Sequence, residues 1–341
     1  MGLRSGFKLQ GQSAMKSPLF SVVIPVKEIN DYLRLETVPS LLKQSYSGLE
    51  IIILPDKKTN EHFPQTRIIP TLTITGPAAK RDMGAKAAKG QILAFIDDDA
   101  YPEKNWLKTA AAVFAESDSV AAVCGPAVTP ATDNFRQKAS GYVWSSWLGS
   151  GGAGTYRCTP QKRRQVDDYP SVNLLVRKKD FFEAGGFDCR FYPGEDTKLC
   201  LEITKKLSKK IIYDPKILVY HHRREVFRPH LKQISRYAVH RGYFARVFPQ
   251  TSFRPGYFVP TLFVGGLVVG LPLAILIPIL SWIYYPVLLF YLLWLVAVAH
   301  RAGWREKSFP LALLVGAAIF FTHLAYGTLF VKGYLSAKLD R

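Results

Sequence analysis

The chain has 341 residues, 48% hydrophobic and 21% charged, with a formal net charge of +19. That length holds one large domain or two ordinary ones, and the composition excludes long disordered stretches. A charge this basic suits nucleic acid, a membrane surface or an anionic substrate, and its distribution discriminates among them. From Lys205 to Arg254 only Asp214 and Glu225 oppose the basic residues, and Phe258 to Ala299 then carries no charge at all. Basic residues abutting a long apolar tract read as a cytoplasmic membrane flank. No nucleic-acid-binding motif accompanies them, so nucleic acid is not an expected partner. The four cysteines, Cys124, Cys158, Cys189 and Cys200, lack metal-ligand spacing and suit a reduced cytosolic domain.

Residues 1–17 are polar and basic without the apolar core of a signal peptide, and read as a flexible tail. Phe20 to Val26 is a short β-branched run, the form of a buried parallel strand. Asp31 to Gln44 has helical spacing. Leu49 to Leu54 is a second buried strand ending at Pro55-Asp56, and a third lies within Arg67 to Ile74. Pro77 to Lys89 is alanine-rich, with proline at a first-turn position. In Gln91 to Trp106 an apolar run, Ile92 to Ile96, stops at three carboxylates, Asp97, Asp98 and Asp99. Adjacent like charges repel. Emerging from a buried strand, they favour a cation or nucleotide over a solvated turn.

Trp106 to Glu116 predicts another helix and Ser119 to Val128 another strand. Strands alternating with helices imply a doubly wound α/β sheet with its ligand at the C-terminal strand edge, where Asp56 and the triple aspartate both fall. Between Thr129 and Tyr169 the pattern dissolves, and the glycine-rich, basic stretch 149–165 is expected as a mobile loop that orders on substrate, with a plain linker as an equal alternative. Tyr169 to Arg177 returns to strand, followed by a short helix and the turn Gly185-Gly186-Phe187-Asp188. Gly194 permits a sharp turn before Glu195-Asp196, which open a helix; simple capping is the alternative role for those carboxylates. A final strand pair surrounds Asp214-Pro215 and ends at His221-His222.

This succession resembles the family 2 glycosyltransferases: a strand ending at Pro25, then Asp56, Arg81-Asp82-x-Gly84, Asp97-Asp98-Asp99, Asn173, Gly185-Gly186-Phe187-Asp188 and Gly194-Glu195-Asp196. The resemblance covers about Phe20 to His222 and implies the GT-A nucleotide-sugar fold, a mixed doubly wound sheet, and an inverting reaction. The part that follows is similar to the ExoA type, membrane-bound enzymes that extend lipid-linked exopolysaccharide units. Tyr237 stands where processive synthases have the tryptophan of a QxxRW motif, and no membrane helix precedes the domain; both depart from processive polymer synthesis. The chain thus divides into a tail (1–17), a GT-A domain (18–227), a basic interfacial region (228–256) and a transmembrane region (257–341).

Glycosyl transfer needs the leaving diphosphate neutralised and the acceptor hydroxyl deprotonated. A hard divalent cation, Mg2+ or Mn2+, serves the first need and prefers carboxylate oxygens. Asp99 is the expected ligand, with Asp97 and His221 as further candidates; a structural role for His221 stays open. The resemblance implies that Asp97 or Asp98 reaches the ribose or a metal-bound water. It also implies that Pro25, Lys27, Glu28 and Asp56 line the base and ribose pocket, and that Arg81 approaches the nucleotide, a UDP-sugar first. For Lys27 and Glu28 a surface ion pair is an equal alternative. Asp196, with Glu195 beside it, fits the general base. Asn173, Gln233, Arg236 and Tyr237 fall to the acceptor or diphosphate. The last three lie on an interfacial helix, Pro229 to Phe248, suited to anionic lipid.

Phe258 to Leu280, Trp282 to Ala299 and Phe309 to Val331 are each close to the roughly 20 residues that span a bilayer. Arg301, Arg305 and Lys307 mark the loop before the third as cytoplasmic, consistent with a multi-pass protein of the inner membrane and a cytoplasmic catalytic domain. Three spans put Lys332, Lys338 and Arg341 on the far side, against the charge rule, so one re-entrant segment is the alternative. The expected activity is transfer of a sugar from a nucleotide sugar to a lipid-linked saccharide. Transfer to a polyprenyl phosphate and an inactive nucleotide-sugar-binding scaffold are the competing readings.

Overall fold

The computed structural model describes residues 18–152 and 154–339, so the expected tail lies outside the described residues. Among the described residues the strands are β1 (Phe20–Pro25), β2 (Leu49–Leu54), β3 (Thr66–Ile68), β4 (Ile92–Ile96), β5 (Ala100–Pro102), β6 (Val120–Cys124), β7 (Ala127–Val128), β8 (Arg164–Val166), β9 (Asn173–Arg177), β10 (Lys210–Tyr213) and β11 (Val219–His221). Eight form a sheet in the order β3-β2-β1-β4-β9-β6-β10-β8, and β5-β11-β7 form a small second sheet. β1 pairs in parallel with β2 and β4, while β9 runs antiparallel between β4 and β6. The expected strand pair at Asp214 is not a pair: β10 joins the large sheet and β11 the small one.

The strand interiors are apolar on both faces because helices cover both. Val22, Ile24, Ile51, Ile53, Ala94 and Ile96 pack with Trp106, Leu107 and Ala110 of helix Trp106–Ala115. Their alternates Val23, Ile52, Leu54, Leu93 and Phe95 pack on the other face with Ala78 and Ala85 of helix Pro77–Ala87. Continuous apolar runs are what a sheet buried on both faces requires. Pro25 stands opposite Leu54 and Val23 opposite Phe95, so β1, β2 and β4 end together and deliver Asp56 and Asp97 to one edge.

Among the described residues, the stretch 129–169 where the pattern dissolves carries short helices and the strand β8. A helix, Phe135–Ser145, begins at a reciprocal cap in which Asn134 accepts from the Gln137 amide and Gln137 accepts from that of Asn134. Its Ala139 and Val143 bury against Leu311, Val315, Ala318 and Ile319 of the last apolar helix. With its covering surface about 170 positions away, the local pattern carries no readable period.

In chain order these helices are α1 (Pro77–Ala87), α2 (Trp106–Ala115) and α3 (Phe135–Ser145), followed by α4 (Glu195–Leu201) and α5 (Arg228–Val247). Three apolar helices long enough to cross a membrane follow: α6 (Pro255–Leu276), α7 (Pro278–Arg305) and α8 (Phe309–Leu335). The turn between α6 and α7 lies at Ile277, ahead of Pro278 in the first turn of α7, rather than at Ser281. α6 and α7 are almost wholly uncovered, whereas a third of α8 is buried inside the protein.

Candidate active site

Asp97, Asp99 and His221 each present one ligand atom within 4.8 Å of the others. β11 brings the histidine there: His221 pairs with Ala100 of β5, and the His222 amide donates to the Asp99 carbonyl at 3.0 Å. His221 Nε2 lies 3.2 Å from Asp99 Oδ1. Two carboxylates and an imidazole suit a divalent cation of the Mg2+ or Mn2+ kind. Asp98 turns aside, accepting from the Asn30 amide, and burial followed by repulsion from Asp99 and Asp97 pushes its pKa up to about 7.

Arg81 is buried and bridges the two acidic groups of the site, with Asp97 at 2.6 Å and Glu195 at 3.3 Å. It comes from α1, which lies so close over β1 that a Cβ on Gly84 would overlap Val23. Asp82 beside it has a structural task, accepting from the Phe187 amide at 2.9 Å and fastening the turn in which Gly185 and Gly186 take φ of 94° and 71°.

Glu195 and Asp196 open α4. Gly194 before them has φ 175°, which any residue adopts; what requires glycine is closeness, since a Cβ would lie 3.0 Å from the Phe191 carbonyl and 3.1 Å from the Phe244 ring. Burial raises Glu195 to about 7, with Asp196 adding to the effect and Arg81 opposing it. Burial also raises Asp196, reinforced by Asp168 and opposed by Arg241. Asp196 accepts from the amides of Ser171 (3.3 Å) and Thr197 (2.7 Å).

One cavity of about 380 Å³ joins these groups, lined by Pro25, Arg81 and Asp97–Asp99 together with Glu195 and Asp196. Gln233, Arg236 and Tyr237 of α5 line it too. Gln233 donates to the Tyr237 hydroxyl at 3.3 Å, and the Tyr237 ring meets Trp144 edge-on at 6.0 Å. Arg224 and Arg236 line the cavity without an ion pair among the described residues.

Four expected residues stand outside this lining. Asn173 is corrected to a core residue: its Oδ1 accepts from Trp106 Nε1 (2.9 Å) and its Nδ2 donates to the carbonyls of Gly125 (2.6 Å) and Ile217 (2.7 Å). That leaves a fully buried amide nothing to offer a ligand. Lys27 and Glu28 are exposed. Asp56 pairs with the buried Lys80, which also donates to the Val26 carbonyl at 2.6 Å.

Several functional neighbours went unseen in the sequence. His222, adjacent to the candidate ligand, is clamped by Asp133 and by Glu36 at 3.0 Å and stacks on Tyr32 at 4.3 Å. Burial opposes its charge, yet the two carboxylates hold its pKa above the ordinary value. Asp168, Arg157 and Arg241 form a buried cluster behind Asp196, with Arg241 at 2.8 Å and Arg157 at 3.0 Å from Asp168. The only local signal for these was excess basic charge.

Residues 21–182 match the Glycosyl transferase family 2 domain. The pre-mycofactocin glycosyltransferase of Mycobacterium tuberculosis is 26% identical over 225 residues, 61% of this chain and 43% of that protein. The glucosyl-dolichyl phosphate glucuronosyltransferase of Haloferax volcanii is 24% identical over 207 residues, 54% of this chain and 63% of that one. The chain therefore spans less than two thirds of the length of either relative. Among solved structures, the mannosyltransferase PcManGT of Pyrobaculum calidifontis, in complex with GDP-Man and Mn2+, superposes with a TM-score of 0.54 at 18% identity. That likeness covers 95% of this chain and 89% of the other, so the fold is shared through the apolar helices. Residues 21–182 are a glycosyl transferase family 2 domain, and the chain that carries them has the GT-A fold.

Proposed function

We propose that this protein is a membrane-bound, metal-dependent, inverting glycosyltransferase that moves a sugar from a nucleotide diphosphate to a lipid-linked saccharide. The observation that carries the reading is the single cavity in which Asp97, Asp99 and His221 share walls with Asp196. Asp97, Asp99 and His221 would hold Mg2+ or Mn2+, which when bound neutralises the charge developing on the leaving diphosphate. Arg81 fixes Asp97 and Glu195 in place, and the guanidinium groups of Arg224 and Arg236, without an ion pair among the described residues, would meet the phosphates in the same cavity. Asp196 takes the proton from the acceptor hydroxyl as that oxygen bonds to the anomeric carbon and the bond to the diphosphate oxygen breaks. Burial raises its pKa above the ordinary carboxylate value, which makes it a stronger base.

The test is on product and on binding. An α-linked donor should give a β-linked product by NMR, and Asp196→Asn should lose turnover by about 10²- to 10⁴-fold while keeping nucleotide affinity. A retained α linkage, or an Asn variant of undiminished turnover, overturns the mechanism. The archaeal relative, named for a glucosyl-dolichyl phosphate, supports a lipid-linked acceptor. Product analysis separates sugar placed on sugar from sugar placed directly on a polyprenyl phosphate.

What each helix end touches supports a reading of the membrane arrangement. α6 starts against the catalytic half, where Arg254 pairs with Asp167 at 2.7 Å, and α7 ends there, where Glu306 meets Lys138 and Tyr142 at 2.9 Å each. α8 stays there along its length: Leu311 packs in the cluster of Val143, His323 bonds the Leu148 carbonyl at 2.9 Å, and Ser336 accepts from Arg246. From 311 to 333 a helix covers about 33 Å, comparable to the roughly 30 Å hydrocarbon core. We infer that α6 and α7 enter the bilayer as a hairpin while α8 lies along the cytoplasmic underside of the domain. The basic residues Lys332 and Lys338 then fall on the catalytic side, in keeping with the charge rule. In oriented proteoliposomes, Lys338→Cys and Lys307→Cys should react with an impermeant maleimide from the same face; labelling from opposite faces restores three spans.

A further inference from the structure

The cavity is also lined by a second charged group, made of Arg157, Arg241, Tyr257 of α6 and Tyr326 of α8. Arg241 is its hub. It pairs with Asp168 at 2.8 Å, donates to Ser252 at 3.2 Å, lies over the Tyr257 ring at 5.1 Å, and is close enough to Arg157 and Tyr326 to interact with each electrostatically. Asp168, itself buried, is the carboxylate paired with both arginines, and Asp196 is close enough to feel all three charges. Two of the cluster's buried donors have no partner: Nε of Arg157 and the hydroxyl of Tyr326. Native structures seldom leave buried donors unmet, because each costs on the order of 1–3 kcal/mol. A ligand that brings acceptor oxygens and negative charge would meet both.

The surroundings say what else that ligand has. Beyond the cluster the cavity wall is Val259 and Pro260 of α6 and the 322–326 turn of α8, helices apolar enough to enter a membrane. With α8 lying along the underside of the domain, this end of the cavity sits at the depth of lipid headgroups. We propose that the Arg157–Arg241–Tyr326 cluster binds the phosphate of a long apolar chain held in the bilayer. The proposal rests on reading the cavity as a glycosyltransferase site, and it gives that site its acceptor end. Asp168 and Arg241 are also the foremost charges acting on Asp196, so a group carried on that phosphate arrives beside the proposed base.

The test uses the full chain in zwitterionic nanodiscs with three probes: farnesyl phosphate, farnesol and inorganic phosphate. Affinity for uridine diphosphate with Mn2+ is measured on the same samples. Farnesyl phosphate should bind at least about tenfold more tightly than either other probe, since a hydrogen bond to a charged group and burial of the chain both contribute. Tyr326→Phe removes only a hydroxyl that has no protein partner, so the fold should survive, and it should weaken farnesyl phosphate about tenfold relative to the nucleotide. Equal binding of farnesol and farnesyl phosphate overturns the phosphate site, as does a Tyr326→Phe variant with unchanged affinity. Loss of nucleotide binding with farnesyl phosphate still bound would instead overturn the catalytic reading and leave this site standing.

Discussion

The two ends of the cavity hold carboxylates in opposite ways. At the sheet edge Asp97, Asp98 and Asp99 crowd together, with Arg81 ion-paired to Asp97, and Asp98 is pushed up to about 7 by burial and by its own neighbours. At the membrane end Asp168 is buried, yet Arg241 and Arg157 overcome the burial and hold its pKa well below the usual carboxylate range. An acidic cluster that repels itself is unfinished without a cation. A carboxylate sealed between two arginines is complete and does structural work. The difference teaches what each end leaves open: at the sheet edge it is charge, and at the other end it is hydrogen-bond donors, Nε of Arg157 and the Tyr326 hydroxyl, beside a carboxylate whose own charge is met.

The largest effect that would break this contrast is on stability at Asp168. Asp168→Asn leaves two buried guanidinium groups without their shared partner, which should cost about 3–5 kcal/mol, read as a drop in the thermal midpoint or in detergent-denaturant titration. The sign with pH follows from its depressed pKa. The folded protein keeps this carboxylate ionised below the ordinary value of 3.8, so the contribution is full at neutral pH and is lost as pH falls below about 4. The Asn variant should lose that acid-side slope. A variant as stable as the parent would mean that the cluster is not the framework it is taken to be.

The same contrast explains what the sequence discloses. The parallel strands are read directly because a sheet buried on both faces needs unbroken apolar runs, and the chain changes character where each strand ends, at Pro25, Asp56 and Asp97. Two of those ends, Pro25 and Asp97, line the proposed donor half of the site. His221 is harder to read, since its meeting with Asp99 depends on β5 and β11 pairing across more than a hundred residues. The membrane end is out of reach: Arg157, Asp168, Arg241 and Tyr326 come from four elements, and nothing local distinguishes them from any basic loop or apolar helix. α3 fails for a related reason, because its hydrophobic partner is α8. Asn173 misleads in the other direction. A polar residue opening a strand on the ligand edge looks available, but its amide knits Trp106, Gly125 and Ile217 together inside the core.

A smaller effect sharpens the comparison from the other side. Asp98 lies between two carboxylates and makes its side-chain hydrogen bond with Asn30. Asp98→Asn keeps a carbonyl oxygen for the Asn30 amide and removes one of three crowded charges, so the metal-free protein should gain roughly 1 kcal/mol of stability. The gain is modest because the flanking aspartates are partly exposed and screened by water. Asp97 and Asp99, the proposed ligands, are untouched, so Mn2+ affinity measured by titration should change far less than in Asp99→Asn. Should Asp98→Asn destabilise the protein, or abolish Mn2+ binding as fully as Asp99→Asn does, then the three aspartates act as one unit. The division into two facing the cation and one turned to Asn30 would fail.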